Sequence, residues 1–104
     1  MSDTPSAPRR VAVITGAASG VGAATTLMLA QRGHDVLVNY HRSAEGAEQV
    51  VHACRAAGAD AIAVQGNVAS DAACRALART AVDRWGRIDA LVHSAGATRF
   101  VRYG

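Results

Sequence analysis

Apolar positions along the chain fall into two alternating periods. Short runs rich in β-branched residues occur at 10–15 (RVAVIT), 35–40 (DVLVNY), 61–65 (AIAVQ) and 88–93 (IDALVH). Runs of this length, bounded by turn residues and nearly continuous in apolar character, predict strands covered on both faces. Helical spacing fills the intervals. A first helix is expected from Val21 to about Arg32, with Gly33 as its terminator. Ser43 is the expected cap of a second, with Glu45 in its first turn and Ala47, Val50, Val51 and Cys54 as its core-facing stripe. Ser70 caps a third, with Asp71 in its first turn and Cys74, Leu77, Ala78, Ala81, Val82 and Trp85 facing the core. Gly58 and Gly86 close these two helices.

The order βαβαβαβ with short connections predicts an α/β fold, a parallel sheet with helices on both faces. Right-handed crossovers then impose strand order 3-2-1-4, the first half of a doubly wound, Rossmann-type sheet. Residues 1–9 read as a loose tail and 10–104 as one domain, expected to be incomplete at its C-terminus. After His93 a loop through Gly96 is expected to run to the end. That leaves the outer edge at Ala90, Leu91 and Val92 unpaired and prone to self-association.

Between the first strand and the first helix lies Thr15-Gly16-Ala17-Ala18-Ser19-Gly20-Val21-Gly22. A strand, a glycine-rich turn and a helix in this order form a phosphate-binding device, because the unpaired N–H groups and positive dipole at the helix start suit a pyrophosphate. Gly16 allows the tight turn, Gly20 the approach of backbone to phosphate, and Gly22 close packing of helix on sheet. Ser19 can bond the phosphates, cap the helix, or do both.

Composition narrows the alternatives. The 104 residues are half hydrophobic and carry a formal charge of +3. All eleven basic residues are arginines, scattered over helix faces and loops, which argues against a nucleic-acid stripe. No apolar run approaches the ~20 residues of a membrane span, and the start of the chain lacks the apolar core of a signal peptide. A cytoplasmic setting is the default expectation. Cys54 and Cys74 fall on helices of opposite sheet faces and are expected as free, buried thiols. His52 and Cys54, two apart on a helix, cannot share a metal, and His93 and Ser94 point to opposite sides of a strand. Trp85 is expected in the core at its helix end.

The motif T-G-x-x-x-G-x-G at Thr15, Gly16, Gly20 and Gly22, Asn67-Val68 after the third strand, and W-G-R-I-D-A-L-V-H-S-A-G at 85–96 together resemble the short-chain dehydrogenase/reductase family. Within it the chain is most similar to the 3-oxoacyl-acyl-carrier-protein reductase type. The resemblance implies a nicotinamide dinucleotide cofactor and hydride transfer between it and a carbonyl or alcohol. It assigns Thr15, Gly16, Ser19, Gly20, Val21 and Gly22 to the pyrophosphate, Asn67 and Val68 to adenine, and Ser94, Ala95 and Gly96 to the cofactor's other half. His93 and Ser94 stand where the family has two asparagines. Tyr40 stands where NAD-preferring members carry an Asp against the ribose; with His41, Arg42 and Ser43 following, NADP is expected over NAD. The family's Tyr-x-x-x-Lys pair has no counterpart, since the chain has no lysine. This chain is therefore expected to carry only the dinucleotide-binding half and to be inactive alone. The intact relatives are expected to be homo-oligomers whose contact helices it lacks. The alternative is a non-catalytic dinucleotide-binding or interaction module.

Overall fold

The computed structural model describes residues 9–18, 20–93 and 99–102, the last four by backbone alone. The elements follow the predicted order: β1 (Arg10–Thr15), α1 (Gly20–Gln31), β2 (His34–Tyr40), α2 (Ala44–Ala56), β3 (Ala61–Gln65), α3 (Asp71–Trp85) and β4 (Ala90–His93). An eighth element, β5 (Arg99–Arg102), was not expected. The sheet order is β3-β2-β1-β4-β5, with the first four strands parallel.

β5 corrects the expected open edge. It runs antiparallel to β4, with Leu91 opposite Val101 and Val92 opposite Phe100, so the β4 backbone is paired on both sides. Four residues with an arginine at each end carry too little alternation to be read as a strand from sequence.

Side-chain alternation along the strands sorts the core into two clusters. Ala12, Ile14, Val36, Val38, Ala61 and Val92 face α1 and α2, meeting Leu29, Ala30, Ala47, Val51 and Cys54. Val11, Val13 and Leu37 face the other way, against Leu77 and Ala81 of α3. β1 is central and Val11, Val13 and Ile14 are almost fully buried, worth about 1.5–3 kcal/mol each. Trp85 packs on the second cluster as expected, and its indole N–H donates to Asp60. Val82 departs from the predicted stripe. It is 45% exposed, because α3 rests on the sheet along a narrower line than its apolar face offers.

The N-terminal ends of the strands are tied by carboxylates. Asp35 accepts from the Asp60 backbone N–H and from Arg9, Asp60 accepts from Arg84 and Trp85, and Asp89 accepts from Val11 N–H and Arg87. Arg9, the last residue of the expected tail, thereby joins the sheet. Cys54 is buried and free, and burial pushes its thiol pKa up; Cys74 is free but only half-buried, against expectation. Ser70 caps α3 by accepting from Ala73 N–H, whereas the Ser43 hydroxyl makes no capping bond to α2. Among the described residues no helix is long and apolar enough to cross a membrane, and no His, Cys, Asp and Glu cluster could hold a metal.

Candidate dinucleotide site

The loops after β1, β2 and β3 leave the same, C-terminal edge of the sheet. β1 lies between β2 and β4, so successive crossovers depart to opposite sides at this point. Open α/β sheets bind ligands in the crevice that such a switch creates.

Gly16 and Gly20 hold φ values of +63° and +60°, in the left-handed region where a Cβ is unfavourable. The turn between them delivers the chain from a buried strand to an exposed helix start. A Cβ on Gly20 would meet no atom within 4 Å, so its bare backbone faces open space. α1 begins at that residue with no acidic side chain in its first turn, and Val21 beside it is 63% exposed. Gly22 is buried and its carbonyl accepts the Thr26 hydroxyl at 2.7 Å. Ser19 lies outside the described residues.

The remaining assigned residues divide by what already engages them. The Thr15 hydroxyl is buried, donates to the Val92 carbonyl at 3.4 Å and meets His93 Nδ1 at 3.2 Å, so it joins β1 to β4. Tyr40 is half-buried against the first cluster, and its carbonyl accepts from Gly66 N–H at 2.9 Å. His41, Arg42 and Ser43 are exposed, and Arg42 forms no ion pair among the described residues. The Asn67 carboxamide accepts from Ala69 N–H at 3.1 Å, closing a local turn, and Val68 packs on the second cluster. Ser94, Ala95 and Gly96 lie outside the described residues.

Asn39 is the residue that sequence reasoning missed. It is 1% exposed, at the end of β2. Its Oδ1 accepts from Gly16 N–H at 3.2 Å, and its Nδ2 donates to the carbonyls of Val64, Gly66 and Tyr40 at 3.2, 3.1 and 3.4 Å. Its backbone carbonyl also accepts from Ala17 N–H at 2.9 Å. The available signal was a carboxamide inside an otherwise apolar strand, since a buried polar group left unpaired costs about 1–3 kcal/mol.

Charge is divided between the two edges of the sheet. The carboxylates of Asp35, Asp60 and Asp89 sit at the N-terminal edge, paired with arginines. On the opposite edge no Asp or Glu occurs at 16–22, 40–43 or 66–70, and the nearest carboxylates are Glu45 and Asp71 in the first turns of α2 and α3. An exposed guanidinium, a helix start without carboxylates and a glycine open to space suit a ligand bearing several phosphates. A separate cleft of about 340 Å³ lies beside α3, lined by Val13, Cys74, Arg75, Ile88 and Leu91 among others. It includes none of these three loops.

The family model for short chain dehydrogenases matches residues 10–103. A 3-oxoacyl-[acyl-carrier-protein] reductase from Synechocystis is 48% identical over 90 residues, which cover 86% of this chain and 36% of the relative. A putative short-chain dehydrogenase/reductase from Burkholderia xenovorans superposes with a TM-score of 0.81 at 40% identity, over 95% of this chain and 41% of the other. A putative dehydrogenase from Burkholderia cenocepacia, solved with bound NADP, gives 0.76 at 33% identity, over 82% and 33%. The chain thus spans well under half the length of these relatives.

Proposed function

The chain belongs to the short-chain dehydrogenase family, and from that premise we propose that it is the dinucleotide-binding portion of an NADP-preferring oxidoreductase. The observation that carries this reading is the Gly16–Gly20 turn at the switch point, with two left-handed glycines and an acid-free helix start. In this reading the N–H groups of the first turn of α1 receive the pyrophosphate, and the bare face of Gly20 leaves room for it. Arg42, exposed and without an ion pair among the described residues, grips a 2′-phosphate, and the absence of a carboxylate at Tyr40 removes the group that would repel it. Asn67 and Val68 border the adenine, and Ser94, Ala95 and Gly96 the remainder of the cofactor. The bound nicotinamide would supply or accept the hydride exchanged with a carbonyl or alcohol. The two free cysteines suit a reducing compartment.

This chain has no lysine to lower a tyrosine pKa, so the proton-transferring pair of the family cannot form within it. We expect it to bind the cofactor and to turn over no carbonyl substrate alone. Calorimetry tests the reading directly. The expected result is that NADPH binds the wild-type chain more tightly than NADH, and that Gly20→Val, which fills the open space with a β-branched side chain, abolishes binding while helix content persists. Retained binding in that variant would place the phosphates elsewhere.

A further inference from the structure

Asn39 belongs to β2, yet its bonds lead to the loops that leave the neighbouring strands. Oδ1 holds Gly16 N–H on one side, and Nδ2 holds the Val64 and Gly66 carbonyls on the other. The adjacent backbone repeats the pattern, since Asn39 O accepts from Ala17 N–H and Tyr40 O from Gly66 N–H. We propose that Asn39 is a positioning residue whose carboxamide fixes the separation between the glycine-rich turn and the turn after β3, so that one dinucleotide engages both at once. This rests on the dinucleotide reading above and says how that site is held in register.

The donor and acceptor pattern specifies an amide. The oxygen meets an N–H and the nitrogen meets carbonyls, so a flipped carboxamide would set its oxygen against the carbonyl oxygens of Tyr40, Val64 and Gly66. A carboxylate could still accept from Gly16 but would repel Val64 O and Gly66 O. A ligand that touches both turns binds as a two-point ligand, and its affinity depends on the match between its span and their separation. A ligand touching one turn is indifferent to that separation. Asn39 therefore affects the whole cofactor more than either of its parts.

The test uses the full 104-residue chain, wild type and Asn39→Asp, with calorimetry on NADPH, inorganic pyrophosphate and adenosine 2′-monophosphate. The expected result is at least a fivefold loss of NADPH affinity, with each fragment within twofold of wild type. A smaller loss for NADPH, or a loss beyond twofold for either fragment, overturns the proposal. Where Asn39→Asp does not fold, the ¹⁵N-labelled wild type answers instead. NADPH, held across both turns, is expected to slow solvent exchange of the Asn39 side-chain amide protons while pyrophosphate leaves it unchanged; equal protection by pyrophosphate, or none by NADPH, overturns the proposal. A wild-type chain that binds no NADPH refutes the dinucleotide reading itself, and this inference falls with it.

Discussion

A Cβ on Gly46 would stand 2.7 Å from the carbonyl oxygen of Ala18. The first turn of α2 thus touches the glycine-rich turn at bare backbone, and two consecutive helices grip the same loop from the side of the first core cluster. Gly46→Ala opposes two effects. Alanine improves helix propensity by about 1 kcal/mol, while overpacking against a fixed backbone costs about 1–3 kcal/mol. The clash is with main chain that cannot rotate away, so the cost prevails. We expect a lower melting temperature and weaker NADPH binding, measured by calorimetry on the same sample; an unchanged or raised melting temperature would mean that the contact gives way freely.

Arg42→Ala separates the two cofactors. A charged hydrogen bond to phosphate contributes roughly 1.5–3 kcal/mol, so NADPH should weaken by about that amount. NADH lacks the 2′-phosphate and should bind as before. Equal losses for both in a titration would remove Arg42 from cofactor choice.

Acid should weaken the N-terminal edge of the sheet. The Arg84 hydrogen bond holds the Asp60 carboxyl below the usual carboxylate range, helped by the Trp85 indole; the Arg87 hydrogen bond does the same for Asp89, helped by Val11 N–H. A carboxyl with a depressed folded pKa contributes its stability above the unfolded value, near 3.8, and loses it as pH falls through the folded value. Denaturant melts should therefore show stability declining below about pH 5. Asp60→Asn should be less stable than wild type at pH 7, and the gap should close by about pH 2–3. A gap independent of pH would assign the loss to packing rather than charge.

Removing residues 94–104 should convert the paired β4 edge into an open one. Ala90, Leu91 and Val92 would then offer free backbone groups to a second chain. Light scattering is expected to show 1–93 self-associating at concentrations where 1–104 does not. Equal behaviour would show that β5 does not protect that edge.

The sequence by itself determined the order of the first seven elements, the order of the four parallel strands and the place of the glycine-rich turn. Each rests on local information: β-branched runs fix strands, stripes such as Ala47, Val51 and Cys54 fix helix faces, and crossover handedness leaves one arrangement of the strands. Periodicity, however, says which face of a helix is apolar and not how much of it finds a surface, so Val82 was placed in the core and stands exposed. Only the tertiary structure decided the role of Asn39, because its partners on 16, 64 and 66 are remote in sequence and meet only once three strands lie side by side. The same is true of Asp35 and Asp60, whose bonds to each other's segments, Asp60 N–H to the Asp35 carboxylate and Val36 N–H to the Asp60 carbonyl, cross the sheet edge. β5 depends likewise on β4 as a template, since four residues with terminal arginines carry no strand signal apart from the backbone groups they pair. Hydrogen-bond partners supplied by distant strands leave no periodic trace in a single chain, and a buried polar group in an apolar run marks only that such a partner must exist.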